Sequence, residues 1–138
     1  MNDDELRQAM ATLEVYKNQL NALTQQSQLL QMSFEETARA TETLNAFANA
    51  KEGDEILVPV GASSFVTAKV TGTPKAIVGI GNKISVEKSI EDASVYMKSN
   101  LDEIKDALTK LTESMQEMDA AARNLAVAVQ QEYQRRQQ

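Results

Sequence analysis

The sequence predicts an α+β protein: a long antiparallel two-helix coiled-coil hairpin with two β-hairpins between the helices. Three observations predict it. All five glycines (Gly53, Gly61, Gly72, Gly79, Gly81) and both prolines (Pro59, Pro74) fall in one central stretch, and the flanks have none. Gly and Pro are the strongest breakers of regular helix. Each flank carries an unbroken seven-residue apolar repeat. The central stretch is rich in β-branched residues between turn signals. The 138 residues make one domain in three parts: an N-terminal helix over 1–52, two hairpins over 53–88, and a C-terminal helix over 89–138.

In the first helix one seam position, a, holds Leu6, Leu13, Leu20, Ser27, Phe34, Thr41 and Ala48. The other, d, holds Ala9, Tyr16, Leu23, Leu30, Thr37 and Leu44. In the last helix a holds Ser94, Leu101, Leu108, Met115, Ala122 and Val129, and d holds Ile90, Met97, Ile104, Leu111, Met118, Leu125 and Glu132. A 3.5-residue spacing keeps one seam facing a partner helix. Aligned antiparallel with paired numbers summing to 138, every a faces a d, and large faces small: Tyr16 with Ala122, Leu111 with Ser27, Leu44 with Ser94, Ile90 with Ala48. Such alternation fills a narrow seam to native density. The alternative is parallel pairing between copies. The last layer sets Leu6 against Glu132, a poor contact expected to fray.

Between the helices, Gly53-Asp54 stops the first helix. Strands follow over 55–60, 64–70, 75–80 and 83–87, with turns at Gly61-Ala62-Ser63, Thr71-Gly72-Thr73-Pro74 and Gly81-Asn82. Ser89 caps the second helix, with Glu91 and Asp92 in its first turn, where the helix dipole favours acids. Two lone hairpins are marginal in water, and their open edges and apolar faces need partners. The strands therefore predict an oligomer built through Ile56, Val58, Phe65, Val66, Ile77, Val78, Ile80, Ile84 and Val86.

Composition narrows the function. There is no Cys and no His, which removes disulfides, Cys-based zinc sites and the commonest general base. No cofactor or metal is expected. Gly79-Ile80-Gly81-Asn82-Lys83 lacks P-loop spacing and lies between strands, so it reads as a turn. Glu35-Glu36 and Asp102-Glu103 sit off the seams and read as solvated faces. No nucleophile–base set is visible, so an enzyme is not expected. Residues 1–50 hold 3 basic and 7 acidic groups (−4), residues 51–88 hold 5 and 4 (+1), and residues 89–138 hold 6 and 9 (−3). Acidic helices argue against nucleic acid, including the helical arms of some tRNA synthetases. The acidic start and the lack of a long apolar run argue against a signal peptide and a membrane span, and a cytoplasmic protein is expected.

Where both termini meet, apolar residues gather: Leu6, Met10, Leu13 and Val15 on one helix, Val127, Val129 and Tyr133 on the other. Asp3, Asp4 and Glu5 face Arg135 and Arg136 there. This cluster is the candidate binding patch. Leu29 and Met32 also lie off the seam, outside this cluster.

The layout, with Glu55-Ile56-Leu57-Val58-Pro59-Val60-Gly61, Ile77-Val78-Gly79-Ile80-Gly81, Val86-Glu87-Lys88-Ser89 and Asp92-Ala93, resembles the α-class subunit of prefoldin, most like the archaeal form. Two hairpins rather than one favour the α class over the β class. The resemblance implies a hexamer of two α and four β subunits with a double β-barrel platform and six coiled-coil tentacles. It further implies that the tentacle tips hold unfolded polypeptides and pass them to a group II chaperonin without ATP. Client contact is then expected at Leu6, Met10, Leu13, Val127, Val129 and Tyr133. The rival reading is a passive coiled-coil scaffold or spacer.

Overall fold

The computed structural model describes residues 1–138. It runs α1 (Asp3–Phe47), β1 (Glu55–Gly61), β2 (Ser64–Lys69), β3 (Lys75–Gly81), β4 (Ile84–Ser89) and α2 (Ile90–Gln137). The chain divides into two compact units, one of Met1–Ser33 with Ile104–Gln138 and one of Phe34–Glu103.

Local chemistry sets the helix ends. The Glu5 amide donates to Asn2 Oδ1 and the Asn2 amide donates to Glu5 Oε2, both at 2.8 Å, a reciprocal capping box at the start of α1. At the start of α2 the Asp92 amide donates to Ser89 Oγ at 3.1 Å, so Ser89 is the N-cap. The far end of α1 corrects the sequence reading. The helix stops at Phe47, ahead of Gly53. The Ala48 amide turns back to the Asn45 carbonyl and the Ala50 amide to the Phe47 carbonyl, tight three-residue closures that unwind the last turn. Ala48 is therefore exposed and outside the seam. Gly53 enters the first hairpin instead: at φ +90 its amide donates to the Val70 carbonyl, while the Val70 amide donates to the Asp54 carbonyl.

In the helical unit the heptad reading holds. Leu6, Ala9, Leu13, Tyr16, Leu20, Leu23, Ser27 and Leu30 of α1 are all buried or half-buried. So are Ile104, Leu108, Leu111, Met115, Met118, Ala122, Leu125, Val129 and Glu132 of α2. Contacts from Asp3 to Arg136 and from Met10 to Tyr133 fix the antiparallel sense. In the second unit the same seam carries one polar tie, Ser94 Oγ donating to Asn45 Oδ1 at 2.7 Å.

The two hairpins are separate two-stranded sheets, β1–β2 and β3–β4. Their registers are copies. Glu55 pairs Lys69 and Lys75 pairs Ser89, Val58 pairs Val66 and Val78 pairs Val86, each shifted by 75 − 55 = 20 residues. Both register shifts also recur 20 residues apart, between Pro59 and Gly61 and between Gly79 and Gly81. Both turns place two successive residues at positive φ: Ala62 and Ser63 in one, Asn82 and Lys83 in the other. That is the two-residue hairpin geometry whose twist suits the flanking strands. Asn82 tolerates it; Ala62 has no side-chain group to offset the strain.

What each hairpin buries is small. Val70 and Val78 are the buried strand-region residues at 8% and 2% exposure, joined by Ile90 and Ala93 at the start of α2. Phe47, Ile56, Val70 and Ile90 line one groove of about 840 Å³, along with the Thr71–Pro74 connection and Lys69 and Lys75.

Candidate functional site

Two surfaces remain after the seam is closed. The first lies where both termini meet in the helical unit. Five charged groups lock that end. Arg135 donates to Glu132 Oε1 at 2.6 Å and to Oε2 at 3.1 Å. Arg136 donates to Glu132 Oε1 at 3.0 Å, to Asp3 Oδ1 at 2.6 Å and to the Met1 carbonyl at 2.9 Å. The N-terminal amine sits 3.4 Å from Glu132 Oε2. These bonds, from Arg135 first and Arg136 second, lower the Glu132 pKa from 4.5 to about 2. The expected fraying is corrected: Leu6 and Glu132 are each only 7% exposed. The Glu132 stem fills its seam position while its carboxylate turns to the guanidinium groups. A heptad frame scores the side chain's polarity and does not see the partners one turn on.

Beside this lock runs a groove of about 320 Å³ lined by Leu13, Glu14, Lys17, Leu20, Ala122, Arg123 and Ala126. Its cause is side-chain size. Ala122 and Ala126, one turn apart, leave the space that longer residues would fill. Met10 and Tyr133 stand one heptad from Lys17 and Ala126, on the same side of the seam. The Tyr133 hydroxyl donates to Met10 Sδ at 3.2 Å, joining the two helices there. Met10 is 45% exposed and Tyr133 44%. The groove's lining is apolar at Leu13, Leu20, Ala122 and Ala126 and charged at Glu14, Lys17 and Arg123, and one heptad on a thioether stands against a phenol.

The six residues expected at this patch divide. Half-buried Leu13 lines the groove, and Met10 and Tyr133 meet each other one heptad beyond it. Leu6 and Val129 are buried in the seam, at 7% and 8% exposure, and present no surface. Val127 is exposed but six residues before Tyr133, about 120° around α2 at roughly 100° per residue. Val15 is likewise exposed, turned away from Met10. The groove itself was missed, and the Ala122–Ala126 spacing is the signal that marks it.

The second surface is the hairpins. Val58, Phe65, Val66, Ile77, Ile80, Ile84 and Val86 all stand exposed, from 36% at Val86 to 78% at Ile77. Leu57 and Val60, absent from the sequence list, add 64% and 60%. Two of the expected assembly residues do not fit that description. Val78 is closed inside the chain, and Ile56 is half-buried beside Phe47. Both faces of β3 are apolar, so alternation alone cannot tell which of Ile77 and Val78 turns inward. No helix is long and apolar enough to cross a membrane.

Comparison with known proteins decides the family. The prefoldin-subunit family matches residues 16–135. The chain belongs to the prefoldin family. Prefoldin subunit alpha of Methanocorpusculum labreanum is 30% identical over 131 residues, covering 95% of this chain and 89% of its own. Prefoldin subunit alpha of Pyrococcus horikoshii is 32% identical over 119 residues, covering 86% and 80%. Two solved structures share the fold. The cryo-EM structure of filamentous PFD from Methanocaldococcus jannaschii has a TM-score of 0.69 and 24% identity, covering 88% of this chain and 98% of that one. The crystal structure of the prefoldin beta subunit from Thermococcus strain KS-1 has a TM-score of 0.61 and 16% identity, covering 92% and 90%. Prefoldin is a family of chaperone subunits, and the coiled coil with hairpins seen here is its architecture.

Proposed function

We propose that this chain is the α-type subunit of an ATP-independent cytoplasmic chaperone. It captures non-native polypeptide at the groove where its termini meet, and it assembles with β subunits through its hairpins into an α2β4 hexamer. The captured chain passes to a group II chaperonin. The observation that carries the reading is a groove with an apolar lining of Leu13, Leu20 and Ala122, followed one heptad on by the exposed Met10–Tyr133 pair. Such a lining accepts apolar side chains of any sequence, and methionine adapts to irregular surfaces. Val127 adds a weaker contact on the outer side. Each groove binds weakly, and several on one assembly raise avidity through effective concentration. The exposed hairpin faces support co-assembly, because an isolated hairpin with its apolar residues in water is marginal.

The test places charge in the groove. Met10→Asp with Ala126→Glu, co-assembled with the β subunit, is expected to leave the complex mass unchanged. The concentration needed to delay aggregation of a chemically unfolded enzyme should rise about tenfold, equivalent to ~1.4 kcal/mol. An intact complex with unaltered suppression would refute the groove as the capture site.

A further inference from the structure

Met10 differs from the other methionines. Met97, Met115 and Met118 are half-buried in the seam. Met1 is 42% exposed and precedes α1, and Met32 is 65% exposed and stands on the outer side of α1. Met10 is exposed, stands one heptad beyond the groove on the same side of the seam, and accepts a hydrogen bond from Tyr133 on the opposite helix. A thioether is a weak acceptor, and a sulfoxide oxygen is a strong one. Oxidation therefore changes two things at this atom: the exposed thioether becomes polar, and the Tyr133 hydroxyl gains a stronger partner.

We propose that Met10 is a redox-sensitive modification site at which peroxide oxidation to the sulfoxide weakens the hold of the exposed Met10–Tyr133 pair on apolar polypeptide. The proposal rests on the capture reading above. The chemistry balances without another reactant. The sulfur lone pair attacks one peroxide oxygen, the O–O bond breaks, and the sulfur loses two electrons as the other oxygen leaves as water. A thiol-dependent sulfoxide reductase returns the two electrons and releases the oxygen as water. The Tyr133 hydroxyl then donates to the S=O group, which fixes the ring against α1. A client side chain entering there must strip water from a polar group it cannot match.

The experiment uses the complete complex with its β subunit, treated with hydrogen peroxide and mapped by peptide mass spectrometry. Wild type, Met10→Leu and Met32→Leu are compared in suppressing aggregation of a chemically unfolded enzyme. As the Met10 sulfoxide forms, wild type and Met32→Leu should weaken about tenfold, the scale of one poorly matched polar group at a contact. Sulfoxide reductase should restore them, and Met10→Leu, whatever its starting potency, should show the same potency before and after peroxide. A second readout is independent of any client: the NMR shift of the Tyr133 ring carbon bearing the hydroxyl should move on oxidation in wild type and stay still in Met10→Leu. Full conversion of Met10 with unchanged suppression, or an unmoved Tyr133 signal, would overturn the proposal. If the untreated complex itself fails to delay aggregation, the capture reading falls, and the Tyr133 signal still decides whether the sulfoxide takes the hydroxyl.

Discussion

The helical unit and the hairpins solve the same problem in opposite ways. In Met1–Ser33 with Ile104–Gln138 nearly every large apolar seam side chain finds its partner on the other helix, and even Glu132 is closed in by Arg135 and Arg136. In the hairpins Ile77 is 78% exposed, Leu57 64% and Phe65 58%, while Val70 and Val78 are the residues that turn inward. Each helix supplies a surface that the returning helix covers. A two-stranded ribbon has two faces and two edges, and one chain covers part of one face. The comparison teaches where stability is internal and where it awaits another subunit.

The largest expected effect separates the two regions by charge. Leu57→Asp with Ile77→Asp should abolish the complex with a β subunit, read by size-exclusion with light scattering, while far-UV circular dichroism keeps its helical signal. Val78→Asp should act otherwise. At 2% exposure it buries a carboxylate inside the chain and costs several kcal/mol of stability before assembly is reached. A normal complex from the Leu57/Ile77 pair would break the contrast.

A smaller effect sharpens the helical side. The Glu132 carboxylate is held at about 2 against an ordinary 4.5, by the hydrogen bonds from Arg135 and then Arg136. A lowered folded-state pKa gives stability that is complete above the ordinary value and lost as pH falls from 4.5 toward 2. Amide exchange in the last turns of α2 should quicken through that window in wild type. Glu132→Gln should exchange quickly already at neutral pH and show much less of the change. Equal pH profiles for the two would remove Glu132 as the lock.

The smallest effect compares the hairpins with each other. Ala62 holds φ +49 where its counterpart 20 residues on, Asn82, holds φ +50. Asn occupies this left-handed region at lower cost than Ala. Ala62→Asn should stabilise the chain by about 0.5–1 kcal/mol in urea titration. A loss of stability would show that the turn is held by something other than its backbone strain.

Much of the fold was legible because its signals are periodic. A seven-residue spacing named every seam position within α1 and α2, and Gly, Pro and β-branched residues marked all four strands. What escaped depends on partners or on sizes rather than on spacing. Ala48 fits the heptad but lies past a helix end set by backbone bonds to Asn45 and Phe47. Glu132 breaks the heptad in polarity, and the guanidinium groups that permit it stand three and four residues on. Leu6 and Val129 were given both a seam place and a client contact, and the structure buries them in their seam places. Val127 shares a helix end with Tyr133 but not a face. The groove exists because Ala122 and Ala126 are small, a feature that a search for large apolar residues passes over. Leu29 and Met32, at 68% and 65% exposure, are covered by nothing in the chain.

Hydrogen–deuterium exchange on the chain alone and with a β subunit tests the contrast most directly. Seam amides around Leu20 and Leu111 should be protected in both samples, while amides from Glu55 to Ser89 should exchange quickly alone and become protected on assembly. Hairpin amides already protected in the isolated chain, or new protection confined to the helices, would contradict the division between a self-completed helix pair and hairpins left for another subunit.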